Sequence, residues 1–540
     1  MTTKSLVSLS MVCALFACGP KDDDEASAGT SEATGSTGAA TEGTGSTGTT
    51  GVPFEPYEAR GVVITRVEAN SGVAVPIGLD GAAVPGSGRN AYIPSQRDTL
   101  IRGFLDTEEG WTPRDLEGRL TLRFPDGTEK VISEIFTING DTVAGQLTSG
   151  MYFGLKAEDM VPGLQYSLSV WETAWGQEGV PASDPPPQLP IDGSFAPVGV
   201  EDVYLNMRVV LVPVDYSYGS CQKVVDGEGL RKSFEDAIFQ ENPLQGLEFE
   251  VHAPYKVNYD LGEFNGLSDL VNDMSQLRAA EGAEPNVYYY AIFDNCNKCI
   301  GAGGGISSGC TVGLAANITG AQQSDAWGRA AAGQLNSTAA DTFVHEIGHT
   351  QGRRHIYCAS AGVQAQGTDP SYPYEDGQIH VWGFGIRDLG LRHPTATADY
   401  MSYCGNTWCS DWQWNATYAR IKTLSSWEMA GAPAPGDGLL IGAITPDGHE
   451  SWWTAPGSFD GSEERSATHS VRFDFGGRVV DVAAQVSVRP HYPVLNVVVP
   501  LPTGFDAEAP TLRLAAPEGE REITVAPEKL FHRRDHLVAR

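Results

Sequence analysis

The fold of this chain is decided by a segment past its middle, His345-Glu346-Ile347-Gly348-His349-Thr350-Gln351-Gly352-Arg353-Arg354-His355. His345 and His349 are four residues apart, so on a helix they lie on one face and can bind one metal ion. Glu346 lies beside them, within reach of a metal-bound water. Gly352 can take the left-handed conformation that ends a helix, and the returning chain brings His355 as a third ligand. Three imidazoles leave a fourth position open, as a catalytic zinc requires.

Length and charge limit the class of protein. The chain has 540 residues and a formal net charge of −32. That length predicts two to four domains, because a single ordinary core does not grow so large. The acidic balance argues against nucleic acid as a partner, since phosphate binding needs basic patches. The many glycines and prolines, 63 and 33, predict much β structure.

The N-terminus has the features of a targeting segment. Lys4 supplies a basic start, and residues 6–16 form an apolar stretch too short to span a bilayer. It ends at Leu15-Phe16-Ala17-Cys18, which resembles a bacterial lipoprotein signal with Cys18 as the lipidated first mature residue. An ordinary cleaved secretion signal is the alternative. The lipoprotein interpretation predicts export to the bacterial cell surface or outer membrane. It also predicts that the N-terminal lipid is the only membrane anchor and that there is no transmembrane helix.

Cysteine usage agrees with export. Apart from Cys13 and Cys18, the other seven of the nine cysteines fall between positions 221 and 409. In an exported protein they predict disulfides with one cysteine left over. Cys296 and Cys299 form a C-x-x-C pair, which elsewhere can be a redox or zinc pair. With no second pair of matching spacing, a disulfide framework is favoured.

Composition and hydrophobic pattern divide the chain into seven segments. Residues after the signal are acidic and Gly/Ser/Thr-rich, so they cannot bury enough apolar surface to become ordered. Short alternating strands such as Leu120–Phe124 then indicate β structure, and strand and helix patterns alternate further on, with a buried strand at Val287–Phe293 and helices at 229–239 and 267–280. The predicted segments are a signal peptide (1–17), a disordered tether (18–54), a β-sandwich domain (55–180), a Pro-rich linker (181–199), a zinc metallopeptidase domain (200–430), a linker (431–438) and a C-terminal β domain (439–540).

A second feature strengthens the histidine motif. Met401 follows His355 within Asp399-Tyr400-Met401-Ser402-Tyr403. The combined pattern, over residues 200–430, resembles that of the metzincins, zinc peptidases with an extended histidine motif and a downstream Met-turn. The pattern favours a metal site over a helix with surface histidines and no metal. The resemblance implies an α+β metzincin-like catalytic domain, with a mixed sheet and an active-site helix, flanked by two all-β sandwich-like domains.

The resemblance also implies roles for individual residues. Glu346 is the general base, and Met401 forms an apolar floor under the metal. Tyr403 matches a tyrosine that in some branches ligates the metal or stabilises the oxyanion. The implied Zn²⁺ ligands are His345, His349 and His355.

The branch within that family is open. Ile356 follows the third histidine, where astacins have Glu, adamalysins Asp and serralysins Pro. The long interval to Met401, the export signal and the flanking β segments are similar to mucin-cleaving bacterial metzincins of the StcE and dictomallein type. That likeness implies glycoprotein substrates, although no residue indicates glycan recognition directly.

The remaining histidines show no ligand spacing. His380 and His393 are expected at the surface or in the core. The others outside the motif are set aside as ligands, namely His252, His449, His469, His491, His532 and His536.

Three functions fit the sequence. The first is a surface-anchored zinc endopeptidase that hydrolyses extracellular proteins or glycoproteins. The second is an adhesin or glycan-binding lipoprotein with an inactive metzincin domain, which is disfavoured because Glu346 and all three histidines are retained. The third is a zinc hydrolase acting on a non-peptide amide. Oligomeric state is open.

Overall fold

Short antiparallel strands dominate the first part of the chain and share one core. In this computed structural model the described residues are 54–301, 310–361, 364–430, 438–459, 461, 463–505 and 510–530. The strands are β1 (Val62–Asn70), β2 (Ala74–Leu79), β3 (Ala82–Ala83), β4 (Ile93–Pro94), β5 (Thr99–Thr107), β6 (Arg114–Arg123), β7 (Glu129–Ile138), β8 (Met151–Leu155), β9 (Gln165–Glu172), β10 (Gln188–Leu189), β11 (Ala196–Pro197) and β12 (Val200–Glu201). One sheet has the order β3-β2-β1-β5-β8 and the next has β10-β9-β6-β7, with β11 paired to β9. In β6, Leu116, Leu120 and Leu122 are buried while the charged residues between them are not, because one face of the strand is covered.

The central part of the chain forms a mixed sheet, and the helix of the histidine motif packs against it. The elements are β13 (Asn206–Tyr218), β14 (Cys221–Val224), α1 (Gly227–Glu241), β15 (Gly246–Val251), β16 (Tyr255–Val257), α2 (Phe264–Ala280), β17 (Val287–Phe293), β18 (Ile300–Gly301), β19 (Cys310–Thr311), β20 (Gly313–Ala315), β21 (Ala330–Gln334) and α3 (Ala339–Thr350). The long strand β13 runs parallel to β17, β17 runs parallel to β21, and β20 ends the sheet antiparallel to β21. Every residue of β17 is buried, which confirms the prediction of a buried strand there.

Residues after α3 form mostly turns, then one helix and two small sheets. The elements are β22 (Gly383–Phe384), β23 (Leu391–Arg392), β24 (Ala398–Asp399), β25 (Thr407–Trp408), α4 (Asp411–Ala430), β26 (Leu439–Ile444), β27 (Glu450–Ala455), β28 (Ser470–Asp474), β29 (Val479–Ala483), β30 (Gln485–Val488), β31 (Leu495–Pro500), β32 (Thr511–Ala516) and β33 (Gly519–Ile523). The two sheets have the orders β27-β26-β31-β30 and β29-β28-β32-β33 and bury a common cluster that includes Leu440, Phe473 and Leu514.

The structure corrects the predicted fold class. A metzincin-like α+β catalytic domain between two sandwich-like domains was expected, and that expectation is wrong. The chain is mainly β, with 37% strand against 18% helix, and it is divided among many small sheets. Between α3 and α4 the described residues contain only two-residue strands, because this Gly-, Asp- and Pro-rich stretch forms turns.

The apolar faces of the sheets are not kept for separate cores. One buried cluster contains Leu120 of β6, Phe343 of α3 and Trp414 of α4. A second cluster contains Leu270 of α2 and Val498 of β31. The apolar faces of neighbouring sheets and helices therefore pack against one another.

The buried side chain of Arg97 joins the β-rich segment before residue 200 to helix α1. Arg97 is 1% exposed. Its guanidinium donates to the carbonyl oxygens of Leu244 and Phe239, both at 2.9 Å, and of Gln240 at 3.2 Å. Phe239 and Gln240 are in the last turn of α1, whose carbonyls have no partner within the helix. Arg97 thus caps the C-terminal end of α1, a helix in the central part of the chain.

The contact pattern places Phe54–Arg540 in one compact unit. The predicted signal peptide, Cys18 and the tether up to residue 53 lie outside the described residues, as does nearly all of the 431–438 linker. The remaining predicted boundaries stay predictions. None of the described helices combines the length and the apolarity needed to cross a lipid bilayer.

Candidate metal centre

Helix α3 presents the first two histidines to one point. His345 and His349 are buried, and their ring centroids lie 4.8 Å apart. The four-residue spacing places both on the same face, as expected for a helix. Glu346 is also buried, beside them on the same helix.

The helix ends at the glycine of the motif, as predicted. Gly352 has φ +84°, and its N–H donates to the carbonyl of His349 at 2.8 Å. A Cβ here would lie 2.7 Å from the carbonyl oxygen of Thr319, so a side chain is excluded by space as well as by conformation. The reversal returns His355 to the site, where its Nε2 lies 3.1 Å from Nε2 of His349.

The outer nitrogens of the three imidazoles are all held by backbone carbonyls. Nδ1 of His345 donates to the carbonyl of Tyr400 at 2.8 Å, Nδ1 of His349 to that of Arg353 at 2.8 Å, and Nδ1 of His355 to that of Gln366 at 2.7 Å. These bonds fix the tautomer that leaves each Nε2 as an acceptor. Metal-binding histidines typically have this outer partner.

The inner nitrogens fit a metal ion. Nε2 of His345 is buried and has no hydrogen-bond partner. Burying an unpaired polar nitrogen costs free energy unless a ligand such as a metal ion binds it. Burial lowers the pKa of His345 and of His355 to about 3, and that of His349 well below its usual value. The imidazoles are therefore neutral, which is the form that binds metal.

Met401 lies directly beneath the helix. It is fully buried, and its N–H donates to Asp399 Oδ1 at 2.9 Å, which holds the turn. Its carbonyl accepts from the N–H of Ile356 at 2.9 Å, so the turn is bonded to the residue after His355. A Cβ on Gly348 would lie 2.5 Å from Met401 Sδ, so the packing depends on glycine in α3.

Glu346 faces the cleft beside the histidines. Its Oε2 is buried without a hydrogen-bond partner, and burial raises its pKa to about 8. Gly313 of β20 leaves room for it, since a Cβ there would lie 2.5 Å from Glu346 Oε1. A carboxyl with this pKa can both accept and return a proton near neutral pH.

Tyr403 stands at the rim of the same site. Its ring centroid lies 5.0 Å from that of His355, and the side chain is 37% exposed. Burial of its hydroxyl end, together with the charge of Glu346, raises its pKa above the usual value. The hydroxyl therefore stays protonated and can donate a hydrogen bond.

A fourth imidazole, His491, joins the site, although its spacing from the motif did not predict it as a ligand. It lies between β30 and β31. Among the described residues one candidate metal group is found, with ligand atoms all within 4.8 Å of one another: His345, His349, His355 and His491. Nε2 of His491 lies 3.0 Å from Glu346 Oε1, and its Nδ1 is in contact with the hydroxyl of Tyr403. A histidine so far along the chain gives no signal in local spacing.

The cleft over these residues has a cavity volume of about 540 Å³. Its walls come from β20 and the segment before it, from α3, and from the turn after Met401. His345, Glu346, Tyr403 and His491 all line it. The predicted residues His345, His349, His355, Glu346, Met401 and Tyr403 thus come together, whereas Cys18 lies outside the described residues.

Three disulfides confirm the prediction of a disulfide framework with one cysteine left over. Cys358–Cys404 joins the segment after His355 to the segment after Met401. Among the cysteines of the described residues, Cys409 is unpaired, and it is buried. The C-x-x-C residues pair with other partners, since the remaining bonds are Cys221–Cys296 and Cys299–Cys310.

Comparisons with known proteins assign no family. No protein-family model matches the chain, and no curated protein matches it. Among solved structures, one described as a chaperone-substrate complex is 11% identical with a TM-score of 0.21, over 51% of this chain and 38% of that one. Another, described as a beta-galactosidase from Bacteroides fragilis, is 12% identical with a TM-score of 0.13, over 43% and 38%. The chain thus covers about two fifths of each, and these likenesses carry no argument about fold or function.

Proposed function

We propose that this chain is a zinc-dependent endopeptidase that cleaves extracellular proteins or glycoproteins. One observation carries the proposal. Three neutral imidazoles have their Nδ1 atoms fixed by carbonyls and their Nε2 atoms directed to one point, with the carboxyl of Glu346 beside them. Nε2 of His345 is buried at this point without a hydrogen-bond partner, which suits an atom that binds a metal ion.

Zinc suits the proposed ligands. Neutral imidazoles are common zinc ligands, and three of them with one further position define a catalytic rather than a structural site. When bound, zinc lowers the pKa of a coordinated water to about 7 and polarises a carbonyl oxygen. The proposed ligands are His345, His349 and His355, each through Nε2.

Glu346 and Tyr403 supply the proton chemistry in this proposal. Glu346 accepts a proton from the attacking water on its carboxylate and returns it to the leaving amine. Its pKa of about 8 without metal suits it to hold that proton between the two steps. Tyr403 Oη, protonated at neutral pH, donates to the oxyanion of the tetrahedral intermediate.

A peptide is the favoured substrate because of the strand beside Glu346. Within the described residues β20 pairs with β21 on one side only and ends the path of the central sheet. The three residues of β20 are buried, but residues 310–312 just before them are partly exposed and line the cleft, so an extended segment of another chain can lie along this edge. This favours a peptide over a small non-peptide amide, and the predicted mucin-type glycoproteins remain within the proposed substrates.

The proposed location is the bacterial surface. Three disulfides are compatible with an extracellular protein. Attachment through a lipid on Cys18 and a tether of residues 18–54 completes the proposal.

The test compares the protein from residue 54 onward with its Glu346→Gln variant. We expect about one zinc per chain in both. Cleavage of casein or a mucin should be lost with chelator, restored by zinc, and reduced about 10²–10⁴-fold in the variant. A wild-type protein that holds zinc but cleaves neither these substrates nor a broad peptide panel would rule out the protease and favour the adhesin.

A further inference from the structure

His491 is held at the metal centre by a loop with several anchors. The loop comprises residues 489–494, between β30 and β31. At its start Arg489 is 3% exposed and donates to Asn496 Oδ1 and Ser268 Oγ, both at 3.1 Å. Ser268 belongs to α2, so the loop is bonded to the central part of the chain. A position fixed in this way does not result from a mobile side chain meeting the cleft by chance.

The backbone at His491 adopts a costly conformation. Its φ is +66°, in the left-handed region that non-glycine residues rarely occupy. Next to it, the ring of Tyr492 packs on Phe264 of α2, with centroids 3.7 Å apart. Strain of this kind persists where surrounding contacts impose it, and it is concentrated at functional sites.

The four imidazoles are arranged as four corners around one point. Ring centroids of the three motif histidines are 4.6 to 5.4 Å apart. Those from His491 to the same three rings are 5.2, 4.9 and 4.5 Å. Four points with six nearly equal separations form a tetrahedron, which is the geometry of four ligands on zinc.

We propose that His491 is a fourth, exchangeable metal ligand that closes the centre and must be displaced before a substrate carbonyl or water can bind there. The inference rests on the metal site of the proposed function. It adds a resting state in which a second region of the chain controls access. Coordination by His491 requires one of its two present contacts, with Glu346 or with Tyr403, to be exchanged for the metal.

A role as a catalytic group outside the coordination sphere fits the geometry less well. Such a group would lie farther from the three ligands than they lie from each other, to leave room for a water. His491 lies as close to them as they do to one another. It also contacts both Glu346 and Tyr403, the two groups that would otherwise serve the water and the oxyanion.

The test uses the full chain loaded with Co²⁺, whose visible spectrum reports coordination, and acetohydroxamate as the probe ligand. His491→Asn and His491→Gly are the test variants, because both residues tolerate a positive φ. His469→Asn is the matched control in the same region. Circular dichroism melts identify any variant that fails to fold.

The wild type and the control should show a four-coordinate spectrum and weak acetohydroxamate binding. In both His491 variants the spectrum should change, and the dissociation constant should fall about tenfold or more, because the probe no longer competes with an imidazole. An unchanged spectrum and unchanged probe affinity in folded variants would overturn the proposal, even if hydrolysis slowed. Failure of the wild type to bind Co²⁺, matched by His345→Ala, would instead refute the metal centre itself.

Discussion

Met401 Sδ lies directly under Gly348, so close that a Cβ on that glycine would be 2.5 Å from the sulfur and 2.9 Å from Tyr400 Cε2. Tyr400 also supplies the carbonyl that holds Nδ1 of His345. The packing of the turn and the orientation of His345, a proposed metal ligand, therefore both depend on the absence of a side chain at Gly348.

Gly348→Ala should accordingly weaken both stability and zinc binding. We expect a loss of about 1–3 kcal/mol in the free energy of unfolding, despite the better helix propensity of alanine. Zinc affinity should fall about tenfold, because the outer hydrogen bond of His345 shifts. Urea unfolding and competition with a zinc chelator measure the two effects.

Gly154→Ala is the matched control, because nothing lies within 4 Å of a Cβ at that position. It should leave zinc affinity unchanged. Equal zinc affinities for Gly348→Ala and wild type would show that the Met401 contact does not support the site.

Removal of the Cys358–Cys404 bond should loosen the segment that returns the chain to the histidine cluster. The bond spans 46 residues and links the two segments that follow His355 and Met401. The double variant Cys358→Ser/Cys404→Ser should lose about 3 kcal/mol of stability and bind zinc more weakly. Thermal melts with and without zinc measure both.

The Cys299–Cys310 bond, which spans 11 residues, provides the comparison. Its removal should cost less stability and leave zinc affinity intact, because neither cysteine closely follows a proposed ligand or Met401. Equal effects of the two double variants on zinc affinity would contradict a specific role for Cys358–Cys404.

Tyr403→Phe should separate transition-state stabilisation from metal binding. If the hydroxyl donates to the oxyanion, kcat should fall about 10²-fold while zinc content stays at the wild-type level. Tyr357→Phe, at a half-exposed tyrosine, is the control and should hydrolyse substrate normally. A Tyr403→Phe variant with unchanged kcat would remove Tyr403 from the proposed mechanism.

Glu241 gives a pH dependence that is separate from the metal. It is 5% exposed, its Oε2 has no hydrogen-bond partner, and burial together with the charge of Asp341 raises its pKa well above the usual value. A carboxyl whose pKa is raised by folding stabilises the folded state fully below its unfolded pKa of about 4.5, and that contribution is lost as pH rises through the folded pKa.

Glu241→Gln should therefore gain stability relative to wild type as the pH rises from 5 to 9. The difference in melting temperature between the two proteins measures this gain. Glu235→Gln, at a more exposed site on the same helix, should show a difference that varies less with pH. A Glu241→Gln difference that is flat across this range would mean that folding does not raise the pKa of Glu241 above its usual value.

The sequence was sufficient for those parts of the site that depend on local geometry. The spacing of His345, His349 and His355 follows from the helix period and one glycine reversal, and both are found. Met401 was found by its motif. His491 was not predicted, because nothing in Arg489-Pro490-His491-Tyr492-Pro493 marks more than a loop, and its place depends on how β30 and β31 pack on the centre.

The fold was predicted locally and missed globally. The buried strand Val287–Phe293 and the helix Phe264–Ala280 lie close to where hydrophobic periodicity placed them. The same periodicity shows that a strand has an apolar face but not which partner covers it. Leu120 of β6 lies in one buried cluster with Phe343 of α3 and Trp414 of α4, an arrangement that its local pattern does not indicate.

The hydrogen bonds of Arg97 to the end of α1 limit how this protein can be dissected. A fragment that begins at residue 200 would leave the carbonyls of Phe239, Gln240 and Leu244 without their donor. It would also open to water the apolar surface now covered by the first two sheets. A minimal folded fragment therefore cannot be obtained by trimming to the histidine motif and its neighbours, and a protease that nicks the chain near residue 180 should yield two pieces that stay together until they are denatured.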